Sequence, residues 1–431
     1  LEKYKFLLLM SKSITSLLGI QGWFNIEDIR EKQKSIHLFL KPLRKTANCP
    51  RCGRRTNIGY DRQPLRSILH TNIGSKLVFL HISPRRFVCI CQPDKPFRER
   101  FTGIRERRTT TEKFDRELLT HLSGQSFKTA ERKYALSYPS LRLRLFEAVD
   151  PMSIRWDLVS NLPSIHLGLD GHHLVNKKFV ETITEVKQRI PLGILPNDKK
   201  LTVKQALLTC PDHLRTSVKS ATVDMSDRTI NAVKEIFPSI LIVIDHFHVI
   251  QDANRRLNEA RLIEQEIINQ QRVKKGFGRM EIEGMLLRKA KEHLNEKRQE
   301  KEYLELFLSR FKRLKIWYVC KERLRDVYKA KDKDEAKQLL ESLIITMRTS
   351  DDIELNLWGK TLIHYKEEIL NYFVYRTTNA YTEGLHVRCK LVQRISCGFR
   401  NAEVYIRKAL LVLLPLSVAI TNSYYLLNHP L

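Results

Sequence analysis

The sequence has 431 residues, and its 76 lysines and arginines against 48 aspartates and glutamates give a formal net charge of +28 at pH 7. Hydrophobic residues make up 42% of the chain, which excludes a wholly disordered chain and allows cores for about three domains. The positive charge indicates a polyanionic partner, either nucleic acid or an anionic membrane surface. A membrane protein is disfavoured because the longest apolar run, residues 410–420, is short and contains Pro415. Residues 6–10 are too few for the apolar core of a signal peptide, so we expect a soluble, cytoplasmic protein directed at nucleic acid.

The first motif in chain order is a group of paired cysteines. Two thiolates separated by two residues can bind one metal ion, and Gly53 permits the tight turn behind the first pair. Residues 76–83 and 86–88 have the composition of strands, so this segment predicts a small zinc ribbon. The four expected Zn²⁺ ligands are Cys49, Cys52, Cys89 and Cys91. The alternative is two separate pairs of buried cysteines that bind no metal.

Arginines surround these cysteines and are predicted to contact DNA phosphates. The candidates are Arg54, Arg55, Arg85 and Arg86. The alternative is a solvated basic surface without a ligand.

Residues 113–148 show the apolar period of helices, with breaks at Ser123-Gly124 and Leu136-Ser137. Short helices around a tight turn predict a helix-turn-helix DNA-binding domain, although any helical hairpin has the same outline. We expect the last of these helices to project Arg142 and Arg144 outward, toward DNA.

After Pro163 the pattern changes to short apolar strands and helices. The predicted order is strand, strand, strand, helix, strand, helix, strand, which is the connectivity of a ribonuclease-H-like core with its first and fourth strands side by side. Three of these strands end in an aspartate: Asp170, Asp224 and Asp245. Carboxylates at the ends of adjacent strands converge in one crevice, where Mg²⁺ relieves their repulsion and can bind a phosphodiester. The alternative for each aspartate is an ordinary cap of the next helix.

Residues 249–348 contain no proline and are rich in lysine and glutamate, which predicts an all-α insertion. Its basic face is expected either to contact DNA or to be a salt-bridged solvent face. A further helix is predicted from residue 378 or 379 to about residue 396, with Glu383 near its first turn, where the helix dipole favours a carboxylate. Lys390 and Arg394 follow on the same face, and we expect them to hold a nucleic-acid backbone beside the metal.

Several motifs together resemble the ISL-three family of bacterial insertion-sequence transposases over nearly the whole chain. They are Cys49-Pro-Arg-Cys52-Gly, Arg85-Arg-Phe-Val-Cys89, Val223-Asp-Met-Ser226, Ile244-Asp-His-Phe-His-Val249, and Thr382-Glu-Gly-Leu-His with Gly398-Phe-Arg-Asn401. The resemblance implies a DDE-type transposase with a zinc ribbon, a helix-turn-helix and a ribonuclease-H-like catalytic domain interrupted by helices. It also implies Mg²⁺ or Mn²⁺ at the catalytic site. Two features depart from the family pattern: the narrow Cys-x-Cys spacing of the second pair, and Gly171-His-His after the first acid.

We predict Asp170, Asp224 and Glu383 as the catalytic metal ligands. Asp245 stands in the more conspicuous motif, but the strand order puts the middle acid at the end of the fourth strand, next to the first strand. Asp245 and His248 resemble an element that follows the middle acid in hAT and Mutator-type transposases. They are therefore expected to be supporting or alternative catalytic residues.

The expected protein binds the terminal inverted repeats of an insertion sequence and catalyses Mg²⁺-dependent strand cleavage and strand transfer. One alternative is a catalytically inactive, domesticated or degenerate copy that acts as a DNA-binding repressor, and another is a nuclease without strand transfer. The expected partners are double-stranded DNA, as transposon ends and target, and at least one further copy of the chain. The expected location is the bacterial cytoplasm, in association with the nucleoid.

Five regions make up the predicted multi-domain α/β architecture. They are N-terminal strands with the zinc ribbon (residues 1–105), the helix-turn-helix (106–155), the first part of the ribonuclease-H-like core (156–250), the all-α insertion (251–370) and C-terminal helices that complete the core (371–431).

Overall fold

The computed structural model describes residues 14–152, 154–174, 179–282 and 284–420. The chain divides into two compact units: a first unit of residues 1–150 and 392–431, and a second unit of residues 151–391. Residues 6–10, the apolar segment that is too short for a signal-peptide core, lie outside the described residues. Within the described ranges, the helices are all too short or too polar to cross a bilayer.

The strands of the described residues come in two groups, one in each unit. They are β1 (Phe24–Lys32), β2 (Ser35–Pro42), β3 (Ala47–Asn48), β4 (Arg55–Thr56), β5 (Gly59–Arg62), β6 (Arg66–Ile73), β7 (Lys76–Ile82), β8 (Arg85–Cys89), β9 (Gln92–Arg98), β10 (Ile165–His173), β11 (Phe179–Glu185), β12 (Ile190–Leu195), β13 (Val218–Val223) and β14 (Leu241–Ile244).

Most α-helices of the described residues come after the first group of strands, and the majority of them follow the last strand of the second group. They are α1 (Glu112–Gly124), α2 (Phe127–Tyr134), α3 (Tyr138–Ala148), α4 (Lys200–Leu208), α5 (Asp212–Arg215), α6 (Asp227–Ile236), α7 (His246–Lys274), α8 (Met285–Arg288), α9 (Glu300–Arg310), α10 (Lys312–Val327), α11 (Lys333–Arg348), α12 (Ile353–His364), α13 (Lys366–Leu370), α14 (Tyr372–Tyr375), α15 (Ala380–Ile395), α16 (Ala402–Leu413) and α17 (Leu416–Ala419).

The first unit begins with a four-stranded sheet in the order β1-β2-β7-β6. Strands β2 and β7 are parallel, and the other neighbours are antiparallel. Leu38 and Leu40 are buried while His37 and Phe39, which alternate with them, are only half-buried, as expected for a strand with one face on a core. The predicted strand at residues 76–83 is confirmed as β7.

The ribbon consists of the short β3-β4 hairpin and a three-stranded sheet in the order β5-β8-β9. In the turn between Cys49 and Arg54, the Cys49 N–H donates to the Arg54 carbonyl (2.8 Å) and the Gly53 N–H donates to the Cys49 carbonyl (2.9 Å). Gly53 has a φ of +74°, a conformation that glycine adopts without strain. The turn therefore forms as its sequence predicts.

Helices α1, α2 and α3 occur where the sequence predicts three helices. The Thr111 hydroxyl caps α1 by accepting from the Phe114 N–H, and Leu141 and Leu145 of α3 are buried. The prediction that Arg144 projects outward is wrong. Arg144 is 5% exposed, and its Nε donates to Asp115 Oδ1 (2.8 Å) because that fully buried carboxylate of α1 needs a cationic partner.

Helix α16 packs on α1 and α3 within the first unit. Lys408 Nζ donates to the Gln125 carbonyl (2.5 Å) at the end of α1, and Arg407 Nε donates to the Val149 carbonyl (3.0 Å) after α3. This packing differs from the prediction that residues 371–431 complete the catalytic core. The five predicted domain boundaries are finer than the two units and stay predictions.

The second unit contains a five-stranded sheet in the order β12-β11-β10-β13-β14. The first three strands of this sheet pair antiparallel, whereas β10, β13 and β14 run parallel. The first and fourth strands in chain order, β10 and β13, are neighbours, as the sequence predicted. Apolar side chains at alternate positions, such as Leu167 and Leu169 in β10, enter the core.

Strand β10 is longer than predicted, and Asp170 is not its last residue. Parallel pairing with β13 stops at Gly168 and Thr222, but antiparallel pairing with β11 continues past Asp170 to His173. Asp170 therefore lies beyond the end of one partner strand while its backbone is still held by the other.

The region between β14 and α15 is helical in the described residues, as predicted, with irregular connections between the helices. It starts with the 29-residue helix α7, which follows β14 directly. The rings of Trp317 in α10 and Trp358 in α12 stack with centroids 5.7 Å apart inside this helical layer. The helices thus form a packed body rather than a linker, and their buried apolar side chains belong to the same core as those of the five-stranded sheet.

Candidate active site

Three aspartates meet at one edge of the five-stranded sheet because of its register. Gly168 of β10 pairs with Thr222 of β13, so Asp170 and Asp224 are each two residues further on and extend to the same side. Val223 pairs with Ile244 of β14, and the Asp245 N–H donates to the Val223 carbonyl (3.0 Å). Asp224 therefore lies between the other two aspartates at the strand ends.

Neither Asp224 nor Asp245 acts as a helix cap through its side chain. Helix α6 begins after Ser226 and not after Asp224, and no side chain bonds to its first turn. Asp245 occupies the cap position of α7, but its carboxylate accepts no bond from that helix. The capping interpretation is therefore not supported for either residue.

Glu383 comes to the same edge on α15, which is tied to the sheet just before it. The Asn379 side-chain amide donates to the carbonyls of Leu169 (3.1 Å) and Thr222 (3.4 Å), which precede the two acids on their strands. The Glu383 N–H donates to the Asn379 carbonyl (2.8 Å), one turn along the helix. Asn379 thus connects β10, β13 and the backbone of Glu383.

His248, in the first turn of α7, lies in the middle of the acids. Its Nε2 is 2.9 Å from Asp224 Oδ1, 3.8 Å from Asp170 Oδ1 and 3.9 Å from Glu383 Oε1. Two overlapping groups have ligand atoms within 4.8 Å of one another, and each could hold a metal ion. They are Asp170, Asp224 and His248, and Asp245, His248 and Glu383.

The site holds several carboxylates in a partly buried environment, and this shifts the pKa values of its side chains. Burial and the charge of Asp224 raise the pKa of Asp170 to about 7. Burial lowers the pKa of His248, but the neighbouring charges of Asp224 and Asp170 outweigh it and raise that pKa to about 9. Burial and the charge of Asp245 raise the pKa of Glu383. A cation relieves this repulsion, and carboxylate oxygens are the ligands that Mg²⁺ prefers. The residues present therefore fit a divalent metal.

Two further residues at this edge were not singled out from the sequence. His386, one turn after Glu383, has its Nδ1 3.6 Å from Asp170 Oδ2 and its Nε2 3.2 Å from Thr182 Oγ1. Burial lowers the pKa of His386 to about 4, so this imidazole is neutral at pH 7. Glu181 of β11 is buried, and burial and the charge of Asp224 raise its pKa. His386 could have been indicated by the sequence, because it lies one helical turn after Glu383. Nothing in the sequence distinguishes Glu181 from a surface residue of a strand.

Of the two cations predicted beside Glu383, Lys390 is exposed on α15, where its charge helps to lower the pKa of His386 after the larger effect of burial. Arg394 is also exposed, but it belongs to the part of α15 that is assigned to the first unit.

The four cysteines of the ribbon come together in the first unit. Cys49 Sγ is 3.7 Å from Cys91 Sγ, and Cys52 Sγ is 3.6 Å from Cys89 Sγ. A tetrahedral zinc ion with Zn–S bonds of about 2.3 Å separates its sulfur ligands by about 3.8 Å. The cluster therefore has the size of a four-cysteine zinc site, and the narrow Cys-x-Cys pair contributes both of its thiols.

The arginines predicted to contact DNA differ in their surroundings. Arg54 and Arg55 are exposed on the ribbon, and Arg142 is exposed on α3, where it lies over the Phe146 ring. Arg85 is bonded to the buried carboxylate of Glu99, and Arg86 is bonded to the exposed carboxylate of Asp61. The charges of Arg85 and Arg86 are therefore partly neutralised by these carboxylates, and the two ion pairs support the structure of the ribbon.

Comparison with known proteins gives one finding on the family. Residues 167–409, more than half of the chain, match the ISL-three model of DDE proteins, which is described as a transposase. The matched range contains every residue of the two groups at the sheet edge that could hold a metal ion. The comparison with curated proteins gives no match. The chain therefore belongs to the ISL-three family of DDE transposases.

Proposed function

We propose that the protein is an active insertion-sequence transposase, which binds terminal inverted repeats and catalyses Mg²⁺-dependent strand cleavage and strand transfer. The observation that carries this proposal is the convergence of Asp170, Asp224 and Glu383 at one sheet edge, although 213 positions separate the first and last of them. The strand order supports a ribonuclease-H-like core.

In this proposal Asp170, Asp224 and Glu383 hold the catalytic metal, with Asp245 and His248 as supporting residues. Mg²⁺ bound there supplies an activated water and stabilises charge on the scissile phosphate. Asn379 fixes the backbone of Glu383 against the two strands that carry the other acids. The neutral His386 beside Asp170 limits the positions that this carboxylate can take.

DNA-end binding is assigned to the zinc ribbon and to helices α1–α3 as a helix-turn-helix. The exposed arginines Arg54, Arg55 and Arg142 are the proposed phosphate contacts, and Lys390 and Arg394 are proposed to hold DNA along α15. Arg144 is left out because it is buried. Cutting of two ends in one reaction further implies at least a dimer on DNA, and DNA as substrate implies a protein that acts at the nucleoid.

The test uses terminal inverted-repeat DNA, Mg²⁺ and the variant Asp224→Asn. We expect this variant to lose cleavage and joining by at least about 100-fold, since even the residues that orient metal ligands are worth about 10–100-fold. Binding of the DNA ends, measured by mobility shift, should stay at the wild-type level. Asp227→Asn is the matched control, because Asp227 follows closely, at the start of α6, but bonds to His364.

Three results would contradict the proposal in different ways. Near wild-type cutting by Asp224→Asn would refute the assignment of the middle acid. Binding without cutting by the wild-type protein would favour an inactive DNA-binding copy. Cutting without joining would favour a nuclease.

A further inference from the structure

We propose that a groove on the helical layer of the second unit binds a second copy of the chain, in a two-fold contact between identical surfaces. The groove lies between α7 on one side and α10 with the start of α12 on the other. The inference rests on the proposed function in one respect, which is that the cutting of two transposon ends needs at least two copies of the chain.

The first observation is that aliphatic side chains line this groove although water reaches them. Ile263 of α7 is 42% exposed, Ile316 of α10 is 48% exposed, and Ile353 of α12 is 75% exposed. Leu262 lines the adjoining hollow and is 46% exposed. A single exposed apolar residue is ordinary, but a contiguous group in a chain with 29% charged residues indicates a surface that binds another protein.

The second observation is that polar contacts between the helices hold the groove in shape. Arg256 of α7 donates through Nη2 to Thr361 Oγ1 of α12 (3.2 Å). Asp352, the N-cap of α12, accepts from Arg313 Nε (2.7 Å) and from Trp317 Nε1 (2.8 Å), both on α10. The walls of the groove are therefore fixed to one another, and binding requires little ordering of the protein.

The charges around the groove oppose a nucleic acid as its occupant. The lining contains two arginines and four carboxylates, whereas the whole chain has a net charge of +28. These residues are Arg256, Arg313, Glu259, Asp351, Asp352 and Glu354. The excess of carboxylates repels a phosphate backbone, which also has no apolar surface to cover the isoleucines. The occupant is therefore a protein surface with apolar side chains.

The shape of the groove is complementary to itself, which selects a second copy among protein partners. Ile353 is the first residue of α12 and the most exposed of the apolar lining residues. It can enter the groove of the other copy, between Ile263 and Ile316, while Ile353 of that copy enters the first groove. A two-fold contact requires that one surface carry both the projecting side chain and the hollow that receives it.

The charges beside Ile353 fit the same arrangement. Asp351 and Glu354 lie next to it and form no ion pair within 4 Å among the described residues. The side-chain bonds of Arg256 and Arg313 within the described chain use Nε and Nη2, so Nη1 of each guanidinium can bond to a carboxylate of the other copy. Each copy thus supplies both the acids and the cations of the contact.

The experiment measures the association of the full-length protein without DNA, by sedimentation equilibrium over a range of protein concentrations. We expect a reversible dimer for the wild-type protein. Ile353→Glu should raise the dissociation constant of this dimer by at least about 10-fold, because it places a charge in an apolar contact of each copy. Ile345→Glu is the matched control and should leave the constant unchanged, since Ile345 is 62% exposed on α11 and outside the groove.

Two results would overturn the proposal. Equal dissociation constants for Ile353→Glu and Ile345→Glu would show that the dimer forms through another surface. A monomeric wild-type protein would leave a different protein as the partner of the groove.

A second variant guards against damage to the fold, although glutamate is favoured in the first turn of a helix. Ile316→Glu changes the opposite side of the groove and should weaken the dimer by a similar factor. Wild-type association of Ile316→Glu would overturn the proposal even if Ile353→Glu did not fold. Failure of the proposed function looks different: a wild-type protein that dimerises through the groove but does not cut inverted-repeat DNA keeps the interface and loses the transposase activity.

Discussion

Burial keeps several histidines of this protein in their neutral form, and His70 in the first unit is the clearest case. Its Nε2 donates to the Leu18 carbonyl (2.9 Å), and its Nδ1 then accepts from the Thr111 hydroxyl (2.8 Å). Burial lowers the pKa of His70 to about 4, and the charge of Lys113 adds to this effect. The residue connects the chain before β1 to the cap of α1.

We predict that His70 makes the first unit acid-sensitive. The folded pKa of about 4 lies below the unfolded value of about 6.5, so its contribution is fully present above pH 6.5 and is lost as pH falls toward 4. Between pH 7.5 and pH 5 the wild-type protein should lose about 2 kcal/mol more unfolding free energy than His70→Gln. Urea unfolding followed by hydrogen exchange of β6 peptides measures this difference. A difference that does not change with pH would contradict the prediction.

At the residue scale, the sequence predicts the position of a side chain when that position is set by the strand or helix that carries it. Asp170, Asp224 and Asp245 could be found because each follows a run of apolar residues, and Glu383 because it lies in the first turn of a helix. Arg144 could not be placed correctly, since its burial depends on Asp115, 29 positions away and on another helix. Long-range partners leave no local pattern in the sequence.

Among the elements, the ribbon has only a small apolar core of its own. Its buried apolar cluster contains only a few side chains of the described residues, among them Phe87 and Phe97. Such a small core supplies little stability, and a metal ion bound by the four cysteines would add to it.

We predict about one Zn²⁺ per chain in protein purified with reductant. Cys91→Ser should abolish stoichiometric zinc, because it removes one of four thiolates from a closed site. Cys397→Ser is the matched control, since this exposed cysteine lies outside the cluster. Metal analysis by mass spectrometry measures the content, and a wild-type protein without zinc would refute the ribbon as a metal site.

The elements themselves were largely predictable, and their packing was not. The spacing of apolar residues predicts the alternation of strands and helices after residue 163. It also predicts the long helical stretch after β14. The extension of β10 to His173 was missed because it depends on pairing with β11 and not on β10 alone. The position of α16 was also missed, because its apolar face fits a sheet and a helix pair equally well.

For the whole molecule, the net charge of +28 makes DNA binding a salt-dependent process. The exposed Arg54 has no side-chain partner among the described residues, whereas Arg86 is paired with Asp61. Contacts to phosphate should therefore depend more on Arg54 than on the paired arginine.

We predict that Arg54→Ala lowers the slope of log affinity against log salt concentration by about 0.9, the value for one lost phosphate contact. Fluorescence anisotropy of labelled inverted-repeat DNA at several salt concentrations measures this slope. Arg155→Ala is the control, because Arg155 is bonded to Asp157 in the second unit. Equal slopes for Arg54→Ala and the wild-type protein would exclude Arg54 as a phosphate contact.

The packing of α16 on α1 and α3 has a consequence for the newborn chain. The ribosome makes residues 112–148 early, but it makes their covering helix only after all of the second unit. At about 5–20 residues per second, the delay is on the order of tens of seconds. During translation the apolar side chains of α1 and α3 that α16 covers stay exposed, so a stalled or prematurely terminated product should attract chaperones.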